Sequence, residues 1–244
     1  MRLIGLTGGI ACGKSTVLKL MLENGVGGCI DMDVVTRETQ EPGCMAYRRI
    51  VKEFGDDVLD EDGKIDREAL GELIFKDAAK RRKLNKLMWL PLALGLLHGL
   101  VSHFILDTAV VILDAPLLYE TGLHMICSKV VVVNVEKEVQ VTRLMGRDKR
   151  SRADAEARIE SQMPVGLKAA RAHFVISNNG TKEELMAATR EVIPKLTQFT
   201  LHRFNTLWFY LVLGVAVLLA LKLRPAEVTP DAAEMDGVDP SSAA

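Results

Sequence analysis

Short apolar runs alternate along this chain with stretches of helical spacing. Arg2 to Thr7 is an apolar run that leads directly into glycines, the pattern of a buried first strand. Val17, Leu20 and Met21 recur at helical intervals between Thr16 and Asn24, and glycines at 25, 27 and 28 end that helix. Cys29-Ile30 reads as a second strand that closes at Asp31. Ala109 to Leu113 and Lys129 to Asn134 are continuous β-branched runs, and His173 to Ser177 is a fifth candidate strand, followed by a helix from Thr181 to about Gln198. Continuous rather than alternating apolar runs belong to strands covered on both faces, as in parallel sheets. Strands alternating with helices predict an α/β fold with a doubly wound parallel sheet.

Two longer apolar stretches raise the question of a membrane. Leu207 to Leu221 is fifteen uninterrupted apolar or glycine residues, and Phe204 to Leu223 interrupts the pattern only near its ends. The run is apolar all round, with Trp208 and Tyr210 near one end and Lys222 and Arg224 at the other, so it predicts a C-terminal transmembrane helix. Leu87 to Leu106 is also uncharged, but Pro91, His98, Ser102 and His103 interrupt it. It lies between segments that must meet at one active site, and a single span there would separate them. A buried or substrate-facing helix is therefore expected. The domain limits follow: a catalytic domain over 1–200, an anchor over 204–223, and an acidic, disordered tail over 225–244.

Charge and cysteines narrow the setting. The net charge is −1, but Pro225 to Ala244 holds five acidic residues and no basic one, so the remaining body is modestly basic. That balance suits a phosphorylated small molecule and is too weak to argue for nucleic acid. The four cysteines, Cys12, Cys29, Cys44 and Cys127, show no metal-ligand or redox spacing. Reduced thiols in a reducing compartment are the simple expectation.

The chemistry starts at Gly8-Gly-Ile-Ala-Cys-Gly13-Lys14-Ser15, which fits G-x-x-x-x-G-K-[ST] between a strand and a helix. Glycines let backbone N–H groups turn inward around phosphates, and the helix N-terminus adds positive potential. Lys14 would reach the β- and γ-phosphates, and Ser15 would hold Mg²⁺. A guanine-reading N-K-x-D segment is missing: Asn85-Lys86 continues as Leu87-Met88. Asp60 to Gly63 reads as a solvated acidic loop. The length leaves no room for a motor or transporter ATPase, and a small P-loop kinase fits.

Asp31 and Asp33 stand at the end of the second strand, where one carboxylate could take the attacking hydroxyl's proton and the other orient substrate or metal-bound water. Two residues apart on an extended chain, they would point the same way. Asp also favours helix N-caps and turns, which is the alternative. Asp114 ends the third strand, the expected place of a partner for Mg²⁺ beside such a loop. Arg143 and Arg147 share one helical face, and Arg150, Arg152 and Arg158 follow, as in a lid that closes over ATP. Interleaved acids also allow a salt-laced surface helix.

Taken together, these segments resemble the dephospho-CoA kinase family over roughly Leu3 to Leu196. The resemblance rests on Leu6 to Thr16, Ile30-Asp31-Met-Asp33 with Arg37 and Glu41-Pro42-Gly43, and Phe54-Gly55, Gly63, Arg67, Leu70 and Phe75 in order. It continues through Leu113-Asp114-Ala-Pro116-Leu117-Leu118 with Glu120, then Gln140, Arg143, Arg147, Ala155 and Gln162, and ends at Ser177-Asn178-Asn179-Gly180. The resemblance implies transfer of phosphate from ATP to the ribose 3′-hydroxyl of dephospho-CoA. It implies that Asp33 is the general base, with Lys14, Arg143 and Arg147 on the transferring phosphate. ATP would lie against Gly8, Gly9, Ile10, Ala11, Cys12, Gly13, Lys14, Ser15 and Thr16, with Asn178, Asn179 and Gly180 closing the adenine pocket. Asp31, Asp33, Arg67, Pro116 and Leu117 would bind the acceptor, and Ser15 and Asp114 the metal.

The C-terminal hydrophobic segment makes this a eukaryote-like form of that family. It would be anchored with its kinase domain in the cytosol, on the mitochondrial outer membrane or the endoplasmic reticulum. One departure stands out: where the family shows His-Pro after Leu-Asn, this chain has Leu90-Pro91 with one extra residue. Another small-molecule P-loop kinase and a tail-anchored nucleotide-binding scaffold are the competing expectations.

Overall fold

The fold is described from a computed structural model, for residues 1–149 and 151–197. The expected span at Phe204 to Leu223, the acidic tail and Arg150 lie outside the described residues. Five parallel strands form one sheet in the order β2-β3-β1-β4-β5. They are β1 (Arg2–Gly8), β2 (Gly28–Asp31), β3 (Val110–Asp114), β4 (Lys129–Asn134) and β5 (Phe174–Ser177).

Period-2 alternation assigns the two faces of the sheet. Ile4 and Leu6 of β1, Ile112 of β3, and Val131 and Val133 of β4 point to one face. There they meet Val17 and Met21 of α1 (Lys14–Glu23), and Leu185, Val192 and Leu196 of α9 (Lys182–Thr197). Leu3, Val111, Leu113, Val130 and Val132 point to the other face, against Leu96 and Leu100 of α5 (Ala78–Ile105). Both faces are dry, which is why these strands read as unbroken apolar runs. Thr181 and Glu184 form a capping box at the start of α9: the Thr181 N–H donates to Glu184 Oε2 at 2.9 Å, and the Glu184 N–H to Thr181 Oγ1 at 3.2 Å.

A third cluster lies beside the sheet. It joins α3 (Met45–Phe54), α4 (Arg67–Lys76) and the first half of α5 through Ala46, Ile50, Leu70, Leu84 and Met88. The acidic loop expected at Asp60 to Gly63 is a tight turn, in which Asp60 Oδ1 accepts the Asp62 and Lys64 N–H groups at 3.0 and 2.9 Å.

Helix α5 starts well before the apolar stretch that announced it, at a cap made by Asp77, whose Oδ1 accepts from the Ala79 and Lys80 N–H groups at 2.7 and 3.2 Å. Its 28 residues extend about 42 Å. Pro91 inside it lacks the N–H that the Leu87 carbonyl would use. That freed carbonyl instead accepts from Arg49 Nη1 at 3.4 Å. Among the described residues, α5 alone is long and apolar enough to cross a membrane by length and composition. Many of its apolar side chains are instead spent on the sheet, the third cluster and the wall of a large cavity.

Candidate active site

The chain runs from β1 to one edge of the sheet and from β3 onward to the other, so a crevice opens between the carboxyl ends of β1 and β3. The phosphate-binding loop fills this switch point. Ala11 (φ 58°) and Gly13 (φ 86°) are both left-handed, and this turns successive N–H groups to one side as an anion nest. At Gly13 the conformation requires glycine, and a Cβ would also fall 2.3 Å from Asn178 Nδ2. The first N–H groups of α1 have no intrahelical acceptor and point at the same spot. The helix begins at Lys14, two residues before its apolar spacing.

Two side chains from distant segments lock this loop. Gln140 is buried in α6 (Lys137–Asp148), and its Nε2 donates to the Ile10 carbonyl at 2.8 Å. Asn178 is buried at the end of β5, and its Nδ2 donates to the Cys12 carbonyl at 2.8 Å. Gln140, singled out in the sequence by resemblance alone, is a strut under the phosphate loop. Arg143, one turn further along α6, donates to the Asn178 carbonyl at 3.0 Å. Asn179 Oδ1 accepts the Glu136 N–H at 2.8 Å. Residues 178–180 thus sit where β4 and β5 end, across the phosphate loop from the main cavity.

Lys14 and Asp114 meet as an ion pair between the ends of β1 and β3. Burial pushes the Asp114 carboxyl up, Lys14 counters this, and the carboxylates of Asp31 and Asp33 push it up further. Asp31 is the cross-strand neighbour of Asp114. Burial, with the Asp114 and Asp31 carboxylates, pushes the Cys29 thiol up to about 12. All four cysteines are free.

The expectation that Asp31 and Asp33 share an extended segment fails. Strand β2 ends at Asp31 and α2 (Met32–Thr39) begins at once. Asp31 is its N-cap, with Oδ1 accepting the Asp33 and Val34 N–H groups at 2.8 and 3.1 Å. Asp33, in the first helical turn, lines the cavity, and Asp31 is not among its lining residues.

That cavity has a volume of about 1210 Å³. Gly9 to Ser15 form its polar end, with Asp33, Thr36 and Arg37 of α2 beside them. Trp89, Leu92, Ala93, Leu96, Leu97 and Leu100 of α5 form an apolar wall, and Pro116, Leu117, Met125 and Ile126 face it. Ser15 is exposed on the cavity. Arg147 also lines it, with its guanidinium held by Asp148 through Nε at 2.7 Å and Nη2 at 3.2 Å. Arg143 and Thr16 are not on its lining, and Arg67 is exposed at the start of α4, also outside it.

The segment after Asp114 is fixed by a residue that sequence reasoning missed. Lys168 of α8 (Val165–Ala170) is fully buried. Its Nζ donates to the Pro116 carbonyl at 2.7 Å and pairs with Glu120 Oε1 at 2.8 Å. Glu120 also accepts the Met163 N–H at 3.0 Å. Burial acts to raise the Glu120 carboxyl, but these bonds outweigh it and hold it below the usual carboxylate range. The one signal in the sequence was a single charge inside the otherwise apolar Val165-Gly-Leu-Lys-Ala-Ala170.

A phosphate loop at the switch point, an acidic residue at the end of the neighbouring strand, and a second carboxylate beside them on a cavity sized for another substrate define a P-loop kinase of the small-molecule class. Comparison with known proteins narrows this. The dephospho-CoA kinase family model matches residues 2–184. A dephospho-CoA kinase of Oryza sativa subsp. japonica is 39% identical over 198 residues, covering 81% of this chain and 86% of the relative. One from Geobacillus kaustophilus is 44% identical over 196 residues, covering 80% and 96%. The solved structure of dephospho-CoA kinase from Campylobacter jejuni superposes with a TM-score of 0.61 at 27% identity, over 81% of this chain and 98% of that one. The chain belongs to the dephospho-CoA kinase family.

Proposed function

We propose that this protein transfers the γ-phosphoryl group of ATP to the ribose 3′-hydroxyl of dephospho-CoA, giving coenzyme A and ADP. The observation that carries this reading is the large cavity. It has the phosphate loop and the Lys14–Asp114 pair at one end, Asp33 on its side, and an apolar wall long enough for a second extended substrate. The hydroxyl oxygen forms the new bond to the γ-phosphorus, the bond to the β–γ bridging oxygen breaks, and ADP leaves with that electron pair. Asp33 takes the hydroxyl proton. Lys14 exchanges Asp114 for phosphate oxygens and neutralises charge that builds in the transition state. Arg147 reaches the phosphates from the cavity wall, and Arg143 approaches from the Asn178 side.

Mg²⁺ fits the donor set. The Asp31 and Asp33 carboxylates act on Asp114, the partner of Lys14, and Ser15 follows Lys14 on the cavity lining. Among the described residues, no three His, Cys, Asp or Glu side chains are arranged to hold an ion alone. Ser15 and Asp114 would therefore share it with the nucleotide. When bound, the ion supplies charge neutralisation at the phosphates.

The test is turnover of ATP with dephospho-CoA by the full chain and by Asp33→Asn. That substitution keeps shape and hydrogen bonding but cannot accept a proton. It should lower kcat by about 10² or more while ATP binding persists. Turnover by the wild type with another acceptor but none with dephospho-CoA would replace the substrate assignment; an Asp33→Asn kcat within twofold of wild type would remove Asp33 from the base role. The anchor at Phe204 to Leu223, the eukaryote-like form it implies and a cytosol-facing kinase domain remain part of this proposal, supported by the uninterrupted apolar run from Leu207 to Leu221.

A further inference from the structure

Gln162 stands on the connector between α7 (Arg152–Glu160) and α8, and it lines the cavity. Its Oε1 is buried and has no hydrogen-bond partner among the described residues. A buried acceptor without a donor raises the energy of the ligand-free side chain, and native proteins seldom leave one unless something else satisfies it. The position of the residue is nonetheless well determined. The next N–H, that of Met163, is held by Glu120, and Glu120 is held by the fully buried Lys168. The same Lys168 fixes the Pro116 carbonyl in the facing wall. An unpaired acceptor on a braced connector, on the lining of a cavity that also carries a long apolar wall, is built to receive a donor that arrives with a ligand.

We infer that Gln162 is a substrate-binding residue that accepts a hydrogen bond from an amide N–H in the pantetheine arm of the acceptor. This rests on dephospho-CoA being that acceptor. The arm alternates apolar stretches with amide groups, which matches a wall of Leu92, Leu96, Leu97, Leu117 and Ile126 carrying one orphaned acceptor. The phosphates and the ribose hydroxyl belong at the other end, with the glycine loop and Asp33. Rotation of the Gln162 side chain turns its oxygen into the cavity it already lines, so the contact forms as the arm enters.

The experiment uses the full-length protein and Gln162→Met, which keeps the length and flexibility of the side chain and removes the acceptor. Gln162→Leu serves as a second variant should Met perturb folding, which thermal melting reports. KM is measured for dephospho-CoA and for ATP, and 5′-AMP is titrated as an inhibitor at saturating ATP, so that it competes only at the acceptor site without an arm. The expected result is a rise of about tenfold in KM for dephospho-CoA, the worth of one buried hydrogen bond. The KM for ATP and the inhibition constant of 5′-AMP should stay unchanged. A KM for dephospho-CoA within twofold of wild type overturns the inference. So does a parallel weakening of 5′-AMP, which would place the donor in the nucleoside, or a raised KM for ATP, which would assign Gln162 to the nucleotide. Wild-type protein that fails to phosphorylate dephospho-CoA overturns the function itself, and the inference falls with it.

Discussion

Replacing Lys168 by methionine keeps the length of a fully buried side chain and removes its charge. Two charge-assisted bonds disappear, one to the Pro116 carbonyl at 2.7 Å and one to Glu120 at 2.8 Å. Each such bond contributes about 1.5–3 kcal/mol when broken from one side. Relief of the buried ammonium offsets part of this loss. The Pro116 carbonyl keeps the Thr7 hydroxyl as a donor at 3.0 Å. Glu120, with its side chain 24% exposed, keeps the Met163 N–H and some water. The net cost is then roughly 2–3 kcal/mol, near the lower end for breaking a buried pair. For a domain of this size it lowers the melting temperature by about 5–10 °C. The reverse variant, Glu120→Gln, strands the ammonium and should cost more, and the double variant should recover much of that loss. The sign with pH is fixed by Glu120. Its carboxyl is held below its unfolded value, so its stabilisation is present above the ordinary carboxylate range and is lost as pH falls through the lowered folded value. The gap between wild type and Lys168→Met should therefore close in acid. Thermal melts of the four proteins across pH are the assay. A Lys168→Met protein that melts within 1 °C of wild type at neutral pH, given the roughly 2–4 °C expected per kcal/mol, would show that the brace carries no stability.

Other outcomes follow from the same geometry. Gly13→Ala places a side chain in a left-handed position and against Asn178 Nδ2. It should weaken ATP binding by about tenfold or more, because the anion nest must open, and unchanged ATP affinity by calorimetry would contradict the role of that turn. Deleting Phe204 to Ala244 should release the protein from membranes with turnover intact, since every proposed catalytic residue precedes Gly180. A full-length chain that is already soluble under carbonate wash would dispose of the anchor.

The sheet was legible because its chemistry is local. Lys129 to Asn134 reads as a strand with the observed ends, since four consecutive valines buried on both faces leave no other reading. The phosphate loop was legible for the same reason. Asp31 ends β2 as the sequence suggested, but the Asp31–Asp33 pair was assigned the wrong local geometry. An Asp at a strand end is equally suited to cap a helix, and only the start of α2 decides between them. Helices α4 and α8 leave weaker traces. Their buried residues face α5 or the sheet, so their pattern has meaning only once those partners are in place. Lys168 left only a lone charge in an apolar segment, because its burial depends on Glu120 and Pro116, both more than forty residues away. Gln140 and Asn178 emerged only by resemblance, and their role as struts required the backbone carbonyls they meet.

The apolar character of α5 shows how far composition alone can carry a membrane reading. A helix apolar on every side is normally lipid-facing or central to a large core. Here three different partners take part of it: Leu96 and Leu100 meet the sheet, Leu84 and Met88 meet α3 and α4, and Trp89, Leu92 and Leu97 line the cavity. The polar group freed by Pro91 is met by Arg49 rather than left to hydrocarbon. Lys14 and Asp114, which flank this helix in sequence, are joined in one ion pair, and a single crossing between them would forbid that. Its apolarity is instead a property of the cavity. A charged glycine loop at one end and a leucine-lined wall at the other impose a polarity on whatever binds, with the phosphate-accepting end beside Asp33 and the uncharged end along α5. A nucleotide with a long, weakly polar substituent satisfies both ends at once, whereas a compact sugar acid would leave the α5 wall bare to water.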